Sequence, residues 1–272
     1  MDLQCKEDRC VRCVRRPGDG MALPFKDHNH EPTIAACPNG DFVANWYSTN
    51  CGEDGRCVGL VQARLSKGAA EWTTAEAVLD APDRNQCCTA FYFDRDSGVL
   101  YHFSAMSAAA GFADIIGVLQ WSSDCGKTFT APKIIWPDHG IEHQIVVTVI
   151  KSSRGELLLP CDHWGMALPF GPMEGDQSII QHAPVERAWD PAAWSVNKTG
   201  LPPSTSTQSH HTSLVELRNG SFAAIGRAHD IDGTMPYALS DDGESYLLPS
   251  PSLLPRCSRY FCFCFCFCSA CF

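Results

Sequence analysis

The chain has 272 residues, 44% of them hydrophobic, and a formal net charge of −10. That is enough length for one large domain with a sizeable core, and the acidic balance argues against nucleic acid as a partner. No apolar run reaches the roughly 18 residues of a membrane span, so none is expected.

Residues 1–27 read as a disordered leader. Arg9, Arg12, Arg15 and Arg16 make its first part basic, and no apolar h-region follows, so no secretory signal is visible and the default location is cytoplasmic. Cys5, Cys10 and Cys13 lie close together, but structural zinc sites close with four ligands, and neither a metal nor a cofactor is expected.

From residue 28 the pattern changes to short apolar runs around tight turns. Thr33–Cys37 and Phe42–Trp46 flank Pro38-Asn39-Gly40, and Thr89–Phe93 and Leu100–Phe103 flank Asp96-Ser97-Gly98. Ile145–Ile150 and Glu156–Pro160 flank Ser153-Arg154-Gly155, and Thr212–Leu217 and Phe222–Ile225 flank Arg218-Asn219-Gly220. Each reads as a β-hairpin, and the turn glycines recur about every 57 to 65 residues.

A second marker keeps the same period. Ser122-Ser123-Asp124-Cys125-Gly126-Lys127-Thr128-Phe129 reads S-x-D-x-G-x-T-aromatic, an Asp-box. Asp accepts hydrogen bonds from its own turn, Gly supplies positive φ, and the aromatic can pack beneath. Leu239–Tyr246 repeats the box, with Asp241 matched to Asp124 and Leu239 in place of the first Ser. Leu65–Trp72 keeps only the aromatic in register, and Trp189 stands at the expected place with no box around it. Two markers with one period predict an all-β chain, a β-propeller of four-stranded antiparallel blades. The competing architecture is a β-sandwich, which gives no reason for the period.

Asp-boxes in such blades resemble the sialidase (neuraminidase) superfamily, the BNR-repeat propellers. Asn39-Gly40-Asp41, Asp138-His139-Gly140 with His143-Gln144, and Gly226-Arg227 with Asp232-Gly233 resemble bacterial-type exo-α-sialidase-like members. The similarity covers about residues 28 to 248 and implies six blades, of which about four are encoded. Residues 28–249 are expected to form this partial propeller. Residues 250–272 are expected to form an aberrant tail, with Phe261-Cys262 opening a Phe/Cys dipeptide repeat where the resemblance calls for more blades. An open arc leaves two sheet faces bare. Six of the sixteen cysteines lie in that tail. The rest lack paired spacing; Cys51 and Cys57 could close a loop, yet a reducing compartment would keep them as thiols.

Residues before the first strand and after the second of each unit share one rim. His28, His30 and Glu31, then His143 and Gln144, then His210 and His211 form the first group; Asp162, His163, Arg227, His229 and Asp230 belong to the second. Seven of the ten histidines fall on this rim, which favours a polar site at the funnel over incidental placement. The resemblance implies arginines for a substrate carboxylate, a carboxylic acid as acid/base and a Tyr nucleophile. Arg227 is the best carboxylate clamp, because guanidinium binds carboxylate bidentately. Asp54, in Gly52-Glu53-Asp54-Gly55, is the candidate catalytic acid. The implied function is a sialidase-like glycosidase fold acting on or binding an acidic glycan, impaired by the missing blades. A non-catalytic carbohydrate-binding or interaction propeller and a His-based polysaccharide lyase-like enzyme remain open alternatives.

Overall fold

The computed structural model describes residues 28–53, 55–107, 115–136, 144–145, 148–163, 177–196, 210–227, 234–247 and 250–255. Their regular secondary structure is almost all strand. Two single-turn 3-10 segments, Val185–Arg187 and Pro191–Ala193, are the exceptions. No helix among the described residues is long and apolar enough to cross a membrane.

Among the described residues the strands form three sheets, and the largest divides into two antiparallel units, so that four units follow one another. The first comprises β1 (His28–Ala36), β2 (Phe42–Thr49), β3 (Cys57–Leu65) and β4 (Glu76–Leu79). The second comprises β5 (Arg84–Asp94), β6 (Val99–Ser107), β7 (Ile115–Ser122) and β8 (Lys133–Trp136). A short parallel pairing, Cys57 with Arg84 and Val58 with Asn85, joins these two into one eight-stranded sheet. In the third unit, β9 (Gln144–Ile145) and β10 (Ile150–Lys151) both pair with β11 (Glu156–His163), followed by β12 (Gln177–Pro184) and β13 (Ser195–Val196). The fourth runs in order through β14 (His210–Glu216), β15 (Phe222–Arg227), β16 (Thr234–Ser240) and β17 (Ser250–Pro255). Ser250–Pro255, assigned to the tail from sequence, is thus the outer strand of that unit. The Phe/Cys repeat itself lies outside the described residues.

Alternation within strands gives each sheet two apolar faces, and the sheets stack through them. One buried cluster joins Tyr47 and Leu60 of the first unit, Ala90, Phe103 and Leu119 of the second, and Leu157, Leu159 and Ile179 of the third. Another joins Leu158 and Ile180 to Leu214, Phe222 and Ala238 of the fourth. One polar set enters the interface between the first two units as a bonded chain. Thr89 donates to Asn45 at 2.9 Å and bonds the fully buried His102 at 2.8 Å, and burial pushes the His102 imidazole down to about 3.

Each junction between units is also tied near the hairpin turns, by a different chemistry each time. Cys37 in the first turn forms a disulfide with Cys125 in the Asp-box of the second unit. Arg64 supports it, bonding Asp41 at 3.2 Å and the carbonyl of Cys125. Asp94 and Asp96 of the second unit hold Lys151 of the third at 3.1 and 2.6 Å. Arg154 in the third turn donates to the carbonyls of Asp242 and Asp241 at 2.7 and 3.3 Å. Cys51 and Cys57 are bridged as well, which overturns the expectation of thiols there. Asp41 turns out to be scaffold: Lys67 N, Asn39 Nδ2 and Arg64 all donate to it, and these bonds lower its pKa against the opposing effect of burial.

The Asp-box forms as its residues predict, with one correction of register. Ser122 Oγ, Lys127 N, Thr128 N and Thr128 Oγ1 all donate to Asp124, at 2.6 to 3.0 Å. Burial opposes ionisation there, but these bonds together outweigh it and hold the carboxyl well below its usual range. Gly126 N donates to Ser122 Oγ, and Gly126 sits at φ +78°, where a Cβ would be strained. In the second box the same bonds are made by Ser240 and Asp242: Ser240 Oγ, Glu244 N and Ser245 N donate to Asp242, and Gly243 N to Ser240 Oγ. Asp242, not Asp241, is therefore the equivalent of Asp124. The second box is one residue shorter between Asp and Gly, so counting back from the aromatic selects the wrong carboxylate.

The aromatics divide. Tyr246 is buried and Phe129 partly so, Phe129 lying parallel to Phe91 at 6.4 Å. Trp72 packs beside Trp46, and the degenerate box around it keeps the closing bonds: Thr73 N to Arg64 O matches Thr130 N to Trp121 O. Trp189 does not follow this pattern. It is half exposed beside Lys133, and Trp194 instead packs edge-on against Phe103 and Trp136 in the main core.

Candidate functional site

The inner strands of the first, second and fourth units share a feature that the sequence conceals. Each carries a β-bulge at the same end: between His30 and Thr33, between Cys87 and Thr89, and between His210 and Ser213. At each bulge one non-glycine residue lies in the left-handed region, Glu31 at φ +47°, Cys88 at +56° and His211 at +51°. Such backbone costs on the order of 1–3 kcal/mol per residue and serves to re-aim a side chain out of the pleat.

The three re-aimed residues influence one another. Glu31 is buried, and burial raises its pKa. The His211 imidazole, a hydrogen bond from the Cys88 thiol and the His30 imidazole oppose that rise, while Asp162 adds to it. Groups from all four units thus act on one carboxyl. Burial likewise pushes the Cys88 thiol up, with Cys87 and Glu31 adding to the effect, so Cys88 is a thiol donor and not a thiolate.

His211 is held rigidly. Its Nδ1 lies 2.7 Å from Asp162 Oδ2, and its backbone N–H reaches both carboxylate oxygens at 2.9 and 3.1 Å. Asp162 is fully buried on β11 and accepts a third group, Ser178 Oγ, at 3.1 Å. Thr212 Oγ1 in turn donates to Ser178 at 2.8 Å. The carboxylate thus anchors the His211 backbone and lies within ion-pair distance of its imidazole.

A second group of polar side chains belongs to the first unit. His28 and His30 project on the same side of β1, their rings 5.6 Å apart, and approach Glu53 to 3.9 and 4.0 Å. Tyr47 OH donates to Glu53 Oε1, and the Tyr47 ring lies 5.5 Å from that of His30. Burial, then Glu31 and Glu53, push the Tyr47 phenol far up, so it remains a donor. Asn29, between the histidines, faces the other way and accepts from Trp46 Nε1 and Ser48 Oγ. Asn85 of the second unit shapes the Glu53 loop by donating to the carbonyls of Glu53 and Gly55 at 2.7 and 2.9 Å.

Of the residues predicted from sequence, His28, His30, Glu31 and His211 are described in full. Gln144, His163, His210 and Arg227 are placed by backbone alone: Gln144 pairs with Asp162, His163 with Gln177, and His210 with Arg227. Asp54, His143 and Asp230 lie outside the described residues. Sequence reasoning left out Glu53, one residue before Asp54, and undervalued Asp162. No group of three or more His, Cys, Asp or Glu among the described residues has metal-site geometry.

Antiparallel units in series, two of them carrying Asp-box turns and all four contributing to one polar cluster, define a protein of the sialidase-type β fold. A family model described as a BNR repeat-like domain matches residues 40–260, and the chain belongs to that family. Solved structures agree on the fold. The chain is similar to the leech intramolecular trans-sialidase, at TM-score 0.66 and 9% identity over 89% of this chain and 53% of that one. It is also similar to a Hadza microbial sialidase, at TM-score 0.64 and 13% identity over 85% and 47%. For the Trypanosoma rangeli sialidase the values are 0.61 and 14% over 87% and 41%. The chain spans about half the length of these sialidases. No curated protein sequence matches it.

Proposed function

We propose that this chain binds an acidic carbohydrate where its antiparallel units converge on Glu31, Asp162 and His211. The observation that carries the reading is the set of three left-handed bulges that direct Glu31, Cys88 and His211 toward one place. Strained backbone repeated at one position in three units indicates a functional demand and not a local accident. The ligand class follows from the residues. His28, His30, His211 and His210 supply imidazoles that bind anions when protonated, and Arg227 supplies a carboxylate clamp. Glu31 and Glu53, with Tyr47, supply hydrogen-bond partners for sugar hydroxyls. The solved proteins of this fold include sialidases and trans-sialidases, which supports a sialic acid-like ligand.

Catalysis is a separate question. A glycosidase needs an acid and a nucleophile on opposite sides of one bond, and Asp54 with one rim of groups supplies one side. The isolated chain is expected to bind without efficient sialoside hydrolysis. A second reading rests on the Asp162–His211 pair. A carboxylate-paired imidazole beside a carboxyl of raised pKa is an acid/base arrangement, which suits proton abstraction from a uronate. Titration calorimetry with sialic acid and glucuronate, beside assays of fluorogenic sialoside hydrolysis and uronate elimination, separates these outcomes. Binding of an acidic sugar that is lost in Arg227→Ala and His211→Ala supports the site; rapid sialoside turnover contradicts the one-sided reading; no binding of any acidic sugar contradicts the proposal.

A further inference from the structure

We propose that the Cys51–Cys57 disulfide and the Asn85 side chain position Glu53 against His28, His30 and Tyr47, so that thiol reduction of this bridge releases Glu53 and weakens ligand binding; the inference rests on the reading of that cluster as part of the ligand site. Glu53 is the one member of the cluster carried by a loop. His28 and His30 stand on β1 and Tyr47 on β2, whereas β2 ends at Thr49 and β3 begins at Cys57, with Glu53 between them. Its carboxylate nevertheless accepts from Tyr47 OH and lies 3.9 and 4.0 Å from the two imidazoles. Something other than strand pairing keeps it there.

Two restraints do so. The Cys51–Cys57 bridge closes the loop at its base, across a sequence separation of 6. Beside it, Thr49 Oγ1 accepts from Cys51 N at 3.0 Å and donates to Gly52 O at 3.3 Å. Asn85, fully buried on β5, reaches in from the second unit and donates to the carbonyls of Glu53 and Gly55 at 2.7 and 2.9 Å. Only the amide nitrogen can serve two carbonyls, so the orientation of this side chain is fixed. Of the two restraints the bridge is the one that chemistry can open. Cys51 is exposed and Cys57 half-buried, whereas Cys37 of the Cys37–Cys125 bridge is 6% exposed. Exchange requires a thiolate to reach a disulfide sulfur, so a dithiol reductant opens Cys51–Cys57 first. Two electrons from the dithiol cleave the S–S bond, its two protons end on Cys51 Sγ and Cys57 Sγ, and it leaves as its own disulfide. The opened loop regains backbone freedom that the ring denied it, and Glu53 is no longer held against Tyr47.

Histidine-selective nuclear magnetic resonance of the full chain, with alkylation and mass spectrometry to follow each bridge, tests this. Under graded dithiothreitol, Cys51 and Cys57 are expected to be alkylated before Cys37 and Cys125. The ring signals of His28 and His30 are then expected to move, while that of His102, buried at the junction of the first two units, stays and reports an intact fold. Cys51→Ser with Cys57→Ser should reproduce the moved signals without reductant, and Asn85→Ala should do so with the bridge closed. Titrated with sialic acid, the reduced chain and the serine variant should need about tenfold more sugar than the oxidised wild type, the change set by one lost charge-assisted hydrogen bond. Signals of His28 and His30 that stay still in the reduced chain and in the serine variant overturn the inference, as does alkylation of Cys37 and Cys125 first. An equal sialic acid response in oxidised and reduced chains overturns it and leaves the ligand reading standing. No response in the oxidised wild type overturns that reading, and the regulatory role with it.

Discussion

The register of the second Asp-box makes a prediction in which two adjacent aspartates behave differently. Asp242 accepts hydrogen bonds from Ser240 Oγ at 3.0 Å and from the amides of Glu244 and Ser245 at 2.8 Å each. A net intramolecular hydrogen bond contributes roughly 0.5–1.5 kcal/mol, and an exposed turn belongs at the low end because water can replace the lost partner. Asp242→Ala should therefore cost about 2 kcal/mol. Asp241 offers its backbone carbonyl to Arg154, which alanine retains, so Asp241→Ala should lie within about 0.5 kcal/mol of wild type. Thermal melts rank the two variants. Hydrogen exchange at the Glu244 and Ser245 amides reads the turn directly, which matters because a chain of several units need not unfold in one step. Those amides should lose protection in Asp242→Ala alone. Equal destabilisation by both variants, or a larger effect of Asp241→Ala, would refute the assigned register.

The Cys37–Cys125 disulfide closes a loop with a sequence separation of 88, for which chain entropy sets a contribution of about 4.6 kcal/mol. Reduction, or the paired change to Ser, should lower the melting temperature markedly, and an unchanged melt in reductant counts against the bridge. Glu31 has a raised pKa in the folded state, so its contribution is fully present below the unfolded value of about 4.3 and is lost as pH rises through the folded one. Melting temperatures of wild type and Glu31→Gln between pH 4 and 8 should therefore diverge in favour of the variant as pH rises; parallel curves would contradict the burial argument. His102 has the opposite sign. Its folded value of about 3 lies below the ordinary 6.5, so its contribution is present above pH 6.5 and lost as pH falls toward 3. His102→Gln should flatten that limb of the acid-stability profile, and an unaltered limb argues against a buried neutral imidazole.

The repeats were readable because turn chemistry is local. Gly40, Gly98, Gly155 and Gly220 all adopt positive φ, between +72° and +89°, and each stands in a hairpin that its neighbours announce. Four-residue signals of this kind survive translation from sequence to structure. Features that depend on distant partners did not. Nothing near Cys37 or Cys125 marks them as a pair, since the bridge arises only when the first turn stacks on the next unit's box. The bulges at Glu31, Cys88 and His211 were hidden because none of them is a glycine and nothing local demands the left-handed region there; tertiary contacts impose it. The rim grouping of His28, His30, Glu31 and His211 came from counting strands outward from turns, a rule that alternation supports. Asp162 was counted on that rim but not valued, because a carboxylate's role as the holder of His211 depends on a strand roughly fifty residues away. Trp189 and Asp241 show the limit of fixed spacing: one residue fewer in the second box moves the equivalent carboxylate to Asp242, and in the third unit the core aromatic is Trp194, so bonding and packing identify these side chains where counting does not.

The central claim is that the Glu31–Asp162–His211 cluster is a site for an acidic sugar. Histidine-selective nuclear magnetic resonance of the full chain, titrated with sialic acid and with neutral galactose, addresses it directly. The ring signals of His211 and of His28 and His30 should move with sialic acid and remain still with galactose. Asp162→Asn, which removes the carboxylate charge beside His211, should weaken the response without loss of fold. A fully folded chain whose His211, His28 and His30 signals do not respond to saturating sialic acid or glucuronate would contradict the account.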